Sequence, residues 1–186
     1  MTGELPPPPA TPRLAPLPQA EWDDFLARLV DASGGPEHAL NVFTTLGHHP
    51  ELFRRWIGFG GALLSGRLPA RTRELAILRT SVHCRAEYEW IHHVDAARAA
   101  GVTEDELAAL RGPLDAHDWD ADTRALLRAV DQTHETWGLD DDTWAEVHSR
   151  LGDADAVELV MLVGQYHLVA LALRTLGVQP ERDSGS

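Results

Sequence analysis

The chain has 186 residues, 44% of them hydrophobic and 24% charged, and its 29 acidic against 16 basic residues give a formal net charge of -13 at pH 7. This length suits one domain with a sizeable core, and the acidic excess argues against nucleic acid or an anionic membrane surface as a partner, because both require a basic footprint. A single cysteine excludes an internal disulfide framework and any Cys-x-x-Cys site.

The first 18 residues, MTGELPPPPATPRLAPLP, contain seven prolines and little to bury. Segments of this composition favour solvated polyproline II rather than a packed element. We therefore expect a disordered tail over residues 1–18, a helical domain over residues 19–178 and a second disordered tail over residues 179–186. The N-terminus lacks the basic and apolar regions of a signal peptide, so we expect a reduced, cytoplasmic location.

Helical periodicity runs through almost the whole of residues 19–178. The motif SGGP at residues 33–36 ends a first helix, and a second helical stretch begins near Glu37. Pro50 separates this stretch from a third helix, and Pro69 suits the first turn of a fourth. No stretch alternates polar and apolar residues as a strand would, so we expect an all-α, single-domain fold of about eight helices.

The second half of the chain carries clear helix stop and start signals. Gly101 ends one helix, and Thr103 with Glu106 forms a capping box for the next. Later signals are Asp118 or Asp120 before a helix that reaches Trp137, Asp140 before another, and the pair Gly152-Asp153 before the last. The apolar stretch at residues 156–173 is interrupted by Glu158, Gln165 and His167, which indicates a buried helix and not a membrane span.

The stretch EYEWIHH at residues 87–93 places acids and histidines on one helix. Glu89 and His93 are four residues apart, so their side chains can meet on one helical face. A carboxylate that contacts an imidazole orients the ring and raises its basicity, which prepares it for proton transfer. Spacing alone favours the alternative, a surface ion pair, which stabilises a protein by only about 0.3–0.5 kcal/mol.

Glu74 lies on an apolar helical stripe with Ile77, Leu78 and Ser81. An acid in such a position must be paired, neutralised or functional. Arg71, one turn earlier, offers a pairing partner, and a buried glutamate with a raised pKa is the functional alternative. Both interpretations remain open at the level of sequence.

These residues belong to a longer segment, LPARTRELAILRTSVHCRAEYEWIHHVDAARAAGVTEDEL at residues 68–107, which resembles the carboxymuconolactone decarboxylase family within the alkylhydroperoxidase D-like superfamily. A looser similarity extends to GQYHLVALALRTLGV at residues 164–178. The resemblance implies the helical fold of that superfamily. In its redox branch the site has the form Glu-x11-Cys-x2-Cys-x3-His. Glu74 and His93 occupy the acid and histidine positions, while Ala86 and Glu89 stand where the two cysteines would be.

The missing thiols change the chemistry that this resemblance implies. Disulfide chemistry needs two sulfurs within bonding reach, and Cys84 lies about 200° round a helix from position 86, so we expect it to face elsewhere. Resemblance to the decarboxylase-type branch implies a cofactor-independent acid–base enzyme, a decarboxylase (lyase) or isomerase-like protein that acts on a small carboxylated or lactone substrate. Two alternatives remain: an alkylhydroperoxidase or peroxiredoxin-like antioxidant protein, and a non-catalytic binding or assembly module.

The predicted site follows from this alignment of positions. We expect catalytic roles for Glu74, Glu89 and His93, and substrate-binding roles for Arg71, Ala86, Tyr88, Trp90 and His92. An anionic substrate also needs a local cation, for which the candidates are Arg71, Arg73 and Arg85. We expect no cofactor and no metal, because no standard ligand spacing occurs among His83, Cys84, Glu87, His92 and His93.

The expected partners are a small-molecule substrate and further copies of the chain, with neither nucleic acid nor membrane. Proteins of the superfamily that the chain resembles are typically assembled. In addition, the segment LVMLVGQYHLVALAL at residues 159–173 is apolar on more than one face. A single small helical domain does not easily cover this much apolar surface. A dimer, a trimer and a hexamer all remain open.

Overall fold

The computed structural model describes Pro7 and residues 9–181, and these residues form eight α-helices and three short 3₁₀ turns without any strand. The expected all-α fold of about eight helices is confirmed. The predicted tails lie partly outside the described residues, at positions 1–6, 8 and 182–186. The helices are α1 (Asp24–Ala32), α2 (Asn41–Leu46), α3 (Pro50–Leu64), α4 (Ala70–His83), α5 (Glu87–Ala99), α6 (Glu104–Leu110), α7 (Ala121–Thr136) and α8 (Asp141–Leu176).

The chain divides into two units, of which the first comprises the residues up to 62 together with those from 172 onward. Its core is aromatic, with Phe53 of α3 almost fully buried beside Leu26 and Val30 of α1. Four neighbouring ring pairs have centroids 5.8–6.3 Å apart, and the rings are those of Phe25, Phe43, Phe53 and Trp56. Such edge and tilted pairs stabilise a core beyond the area they bury.

The proline-rich segment of this unit forms neither helix nor strand over residues 9–18, yet its backbone is hydrogen-bonded. The N–H groups of Arg13 and Leu14 donate to the carbonyl of Leu176 at 2.9 and 3.1 Å, and that of Leu17 donates to Thr44 at 3.1 Å. Residues 13–17 were predicted to belong to a disordered tail. Their composition gave no sign of partners that lie far along the chain.

The second unit, residues 63–171, is organised around α4. This helix packs against α5, α6 and α7, and every residue from Glu74 to Ser81 is buried. A helix that is buried on all sides has no solvent face for its polar side chains, so each of them needs a partner inside the protein. Arg79 satisfies this requirement with a two-pronged contact to Asp131 of α7, at 2.6 and 2.7 Å.

The predicted caps of this unit are present. Thr103 and Glu106 form the reciprocal capping box at the start of α6, and Asp120 accepts hydrogen bonds from the first turn of α7. Gly152 has φ 72° and interrupts α8, where a stop and restart was predicted. One boundary in the other unit was wrong: residues 36–38 form a 3₁₀ turn, and α2 begins only at Asn41.

Helix α8 is the one helix of the described residues that is long and apolar enough to cross a membrane. Half of its most apolar stretch is buried inside the protein, however, as in the core helix of a globular domain. A single helix of this kind is weak evidence for a membrane span. The burial agrees with the interpretation of this stretch as a buried helix.

Replacement of Thr103 by alanine tests the capping box. Thr103→Ala removes the hydroxyl that accepts from the Glu106 N–H, so the free energy of unfolding should fall by about 1 kcal/mol. Denaturant titration measures this loss, with Ser149→Ala as a control, because Ser149 is an exposed helical residue at a position where alanine is well tolerated. Equal losses in the two variants would contradict the assigned role of the cap.

Candidate acid–base site

Glu74 is the centre of the candidate site. Its side chain is 2% exposed, and both carboxylate oxygens have partners: Oε2 lies 2.8 Å from Nδ1 of His93, and Oε1 lies 3.0 Å from Nε of Arg73. Burial alone would raise the pKa of Glu74, but the hydrogen bonds and charges of His93 and Arg73 outweigh it and hold the pKa below its ordinary value. Glu74 is therefore a buried, ionised carboxylate.

A tight turn between α4 and α5 brings Glu74 and His93 together across 19 positions of sequence. Cys84 ends α4, and the N–H of Ala86 donates to the carbonyl of Ser81 at 2.8 Å. Between them Arg85 has φ 50°, in the left-handed region that non-glycine residues adopt infrequently. The chain thus reverses within this short segment.

Tyr166 of α8 completes the environment of His93. Its hydroxyl lies 2.9 Å from Nε2 of His93, and the two rings pack edge to face with centroids 5.1 Å apart. Burial first, and then the negative charge of Glu74, raises the pKa of Tyr166 above its ordinary value, so the phenol stays protonated. The consistent arrangement has Tyr166 donating to Nε2 of a neutral imidazole, whose Nδ1–H donates to Glu74.

Glu89 has the opposite environment to Glu74. Its side chain is 3% exposed, and neither carboxyl oxygen has a hydrogen-bond partner. Burial raises the pKa of Glu89 well above its ordinary value of 4.5, because nothing compensates the lost hydration of a negative charge. The site therefore contains two carboxyl groups with opposite shifts, an ionised Glu74 and a Glu89 that favours the neutral acid. Such a separation is typical of acid–base sites.

Two pairings predicted from helical spacing were wrong. Glu89 makes no hydrogen bond to His93, because Glu74 and Tyr166 from two other helices already occupy the two ring nitrogens. Arg71 does not pair with Glu74 but forms two hydrogen bonds, at 2.5 and 3.1 Å, to the capping-box carboxylate of Glu106. The charge partner of Glu74 is the adjacent Arg73.

Two of the predicted substrate-binding residues face other parts of the unit. Arg71 also donates to the carbonyl of Gly101 at 2.9 Å and lines a cleft of about 290 Å³ to which neither Glu74 nor His93 contributes. Trp90 is buried in the main core, and the guanidinium of Arg111 lies 3.9 Å from the centroid of its ring. Both positions have structural roles, and their part in substrate binding stays a prediction.

The other three candidates lie on α5 or at its start. Tyr88 and His92 stack on each other with centroids 4.1 Å apart, and Nδ1 of His92 lies 2.7 Å from the carbonyl of Tyr88. Ala86 is buried in a small apolar cluster with Cys84 and Ala170. Their roles in binding a substrate also stay predictions.

A second cluster of chemically active side chains was not predicted. Nδ1 of His134 lies 3.0 Å from Nε2 of His167, and the donor atoms of these residues and of Cys84 all lie within 4.8 Å of one another. We predicted that Cys84 would face away from Ala86, and this was wrong. The left-handed Arg85 separates the two residues, so the angular spacing of a continuous helix does not apply.

Sequence reasoning missed Tyr166 and His134. Tyr166 stands in the long apolar run of α8, where a polar side chain needs a buried partner, and this was the available signal. In the structure, burial first and then the neighbouring charges of His83 and His167 lower the pKa of His134 to about 4, so it is neutral at pH 7.

The model of the carboxymuconolactone decarboxylase family matches residues 50–132. Over these residues the chain is similar to this family. The matched region includes Glu74, Ala86, Glu89 and His93, whereas Tyr166 lies outside it. No curated protein matches the sequence.

Several solved structures share the fold of this chain. An alkylhydroperoxidase AhpD core, an uncharacterized peroxidase-related protein from Ralstonia eutropha JMP134, is 20% identical with a TM-score of 0.77 and covers 91% of this chain and 93% of its own. A peroxidase-related protein from Silicibacter sp. TM1040 is 13% identical with a TM-score of 0.73, covering 98% and 96%. A cysteine-to-alanine variant of the debrominase Bmp8, in complex with 2,3,4-tribromopyrrole, is 17% identical with a TM-score of 0.72, covering 90% and 91%. At these identities the similarity shows the fold alone.

Replacement of Glu89 by glutamine tests the neutral state of its carboxyl group. The folded protein retains the Glu89 proton above the ordinary pKa of 4.5, at which the unfolded chain releases it, so this group destabilises the fold increasingly as pH rises through that value. Glutamine does not titrate. The melting temperature of Glu89→Gln relative to the unmodified protein should therefore rise between about pH 5 and pH 8.

The informative quantity is the slope with pH, because a buried amide without partners has its own pH-independent cost. Glu87→Gln is the matched control, since Glu87 lies on the same helix but is exposed and pairs with Arg111 at 3.3 Å. A difference between Glu89→Gln and the unmodified protein that stays constant over this range would show that Glu89 is ionised in the folded state.

Proposed function

We propose that the protein is a proton-transfer enzyme, a decarboxylase or isomerase-like protein of the carboxymuconolactone decarboxylase type, that acts on a small carboxylated or lactone substrate without thiol redox chemistry. The observation that carries this proposal is the imidazole of His93 between the ionised Glu74 and the hydroxyl of Tyr166. Glu89, a buried acid that favours its protonated form, lies one helical turn before His93 on α5. A base and an acid with separated pKa values are the two groups that such a reaction needs.

His93 is the proposed base. Glu74 accepts from Nδ1, which fixes the tautomer so that the lone pair of Nε2 is available, and its negative charge stabilises the imidazolium that forms when Nε2 takes a proton. Tyr166 occupies Nε2 in the structure. A substrate proton therefore reaches His93 either through the Tyr166 hydroxyl or after that hydroxyl moves aside.

Glu89 is the proposed acid. In a decarboxylation, the bond between the carboxyl carbon and the ring carbon breaks, carbon dioxide leaves, and the electron pair remains as an enolate. The proton of Glu89 then passes to the carbon, and solvent returns a proton to the carboxylate. Because Glu89 favours the neutral form, it does not repel an anionic substrate, as a second ionised carboxylate would.

Arg73 is the proposed cation for the substrate carboxylate. Its side chain is 18% exposed and contacts Glu74, so it links the surface to the buried site. Of the three arginines that the sequence suggests as the cation for an anionic substrate, Arg71 is bound to Glu106. In a chain with a formal charge of -13, a local guanidinium is needed to attract an anion.

The comparisons support a small-molecule enzyme of this kind. The family match covers the acid, base and pairing positions on α4 and α5. A protein of the same fold binds a brominated pyrrole, and this supports a substrate about the size of one small ring. The alanine and glutamate at positions 86 and 89 weigh against an alkylhydroperoxidase, because no second cysteine exists to form a disulfide.

The first test uses three conservative variants. His93→Gln, Glu89→Gln and Tyr166→Phe each remove one group of the proton path, and a general acid–base residue is worth about 10²–10⁴ in rate. We expect losses of that size in His93→Gln and Glu89→Gln, and a smaller loss in Tyr166→Phe. Turnover of a panel of small carboxylated lactones, followed by NMR in D₂O, reports both decarboxylation and isomerisation.

Glu87→Gln serves again as the matched control and should retain full turnover, since this exposed acid lies outside the cluster. Circular dichroism establishes that each variant is folded. If His93→Gln and Glu89→Gln are both folded and fully active, the proposed chemistry is wrong. Turnover of a hydroperoxide with a dithiol reductant would favour the antioxidant alternative instead.

We also propose that copies of the chain assemble through α8. Five apolar residues are 46–68% exposed at spacings that place them on one stripe: Val157, Val160, Met161, Leu168 and Leu171. The strong negative charge of the chain argues against an anionic lipid surface as the cover for this stripe. A second copy is the proposed occupant, since an apolar stripe of this extent is rarely left exposed in a monomer.

Leu168→Glu tests this assembly. A charge in the middle of the stripe should dissociate the oligomer, which size-exclusion chromatography with light scattering measures directly. Leu52→Glu is the matched control, because Leu52 is 61% exposed on α3 and lies outside the stripe. A monodisperse monomer of the unmodified protein at micromolar concentration would contradict the proposal.

A further inference from the structure

Three potential metal ligands meet outside the proton-transfer site. Cys84 comes from the turn after α4, His134 from α7 and His167 from α8, and their donor atoms lie within 4.8 Å of one another. Cys84 is 8% exposed, and both histidines are half-buried. The cluster shares none of its residues with the path through Glu74, His93 and Tyr166.

The orientation of the two imidazoles suits a shared ion. Nδ1 of His167 lies 2.8 Å from the carbonyl of Val163, so this nitrogen donates its proton to the backbone and the lone pair of Nε2 faces the cluster. Metal-binding histidines are commonly held by a hydrogen bond of this kind from the nitrogen that does not bind. Nδ1 of His134 lies 3.0 Å from the same Nε2, close to the separation of two neighbouring ligands on one ion.

We propose that Cys84, His134 and His167 bind a divalent transition-metal ion, with Zn²⁺ as the best match. The ligand atoms are Sγ of Cys84, Nδ1 of His134 and Nε2 of His167, and water takes the fourth position. One thiolate with two imidazoles suits Zn²⁺, whereas Mg²⁺ and Ca²⁺ require oxygen ligands. Binding displaces the thiol proton of Cys84 to solvent, and the proton on Nδ1 of His134 moves to Nε2 of the same ring.

Polar side chains and the protein surface both adjoin the cluster. Asp131 accepts from Arg79 and lies 2.6 Å from His83, whose ring stacks on that of His134 with centroids 4.7 Å apart. On the other side, the ring of Trp137, which is 83% exposed, lies 5.8 Å from that of His167. The half-buried His167 therefore lies beside the surface, where an ion can reach it.

The proposed ion has a structural consequence. It would join the end of α4, which carries the turn before the acid–base residues of α5, to α7 and α8. Since each ligand comes from a different element, binding stabilises the folded state relative to an unfolded chain in which the three residues are far apart. Zn²⁺ should therefore raise the melting temperature.

Cobalt is the most informative probe. Protein without a polyhistidine tag is treated with chelator, desalted and titrated with Co²⁺, which gives visible bands in tetrahedral sites and a near-ultraviolet charge-transfer band when a thiolate binds. We expect one equivalent of Co²⁺, both kinds of band, and bleaching of both by one equivalent of Zn²⁺. The readout requires no substrate and is independent of the proposed enzymatic activity.

The variants assign the ligands. Cys84→Ser should abolish the charge-transfer band, and His134→Gln or His167→Gln should weaken Zn²⁺ binding at least about 100-fold, more than loss of a second-shell partner usually costs. His148→Gln is the matched control, because His148 pairs with Asp153 outside the cluster and should bind Zn²⁺ like the unmodified protein.

Three outcomes would overturn the proposal. The folded protein fails to bind one equivalent of Co²⁺ or Zn²⁺, the cobalt spectrum lacks the thiolate band, or both histidine variants retain full affinity. In that case the contact between His134 and His167 is a hydrogen bond between two neutral imidazoles. If Cys84→Ser does not fold, the two histidine variants still decide between these alternatives.

Discussion

The buried negative charge of Glu74 is the constraint on which the site depends. A carboxylate in a helix without a solvent face must be compensated inside the protein, and Arg73 and His93 both bind it. The contact with His93 fixes α5 relative to α4 and sets the orientation of the imidazole. Tyr166 then joins α8 to the other ring nitrogen. One charge thus determines the positions of three helices in this unit.

Local signals predicted most of the fold. The capping box at Thr103, the cap at Asp120 and the break at Gly152 each depend on residues within one helical turn, so sequence alone identifies them. The start of α2 was harder to predict, because a 3₁₀ turn and an α-helix have similar amino-acid compositions. The positions of Glu74 and His93 came from family resemblance, and their catalytic roles stay predictions.

Side-chain pairing was less predictable because it is decided by competition between near and distant partners. Glu89 lies four residues from His93 in sequence. The ring nitrogens of His93 nevertheless contact Glu74, 19 residues away, and Tyr166, 73 residues away. Arg71 likewise binds Glu106, 35 residues away, rather than the nearby Glu74. Helical spacing shows which residues share a face, but a stronger partner from another helix determines the contact. The contact between His134 and His167 was not predicted for the same reason.

The exchange of a thiol for a carboxyl group at position 89 has a specific chemical meaning. In the redox branch of the superfamily, this position carries a cysteine, which is neutral when protonated and forms a disulfide with a second sulfur. Glu89 without partners is also a buried group that favours its neutral, protonated form. It can release a proton but has no sulfur to oxidise. In the proposed mechanism, Glu89 therefore supplies a proton on the same helix as the base His93, and no redox step takes part.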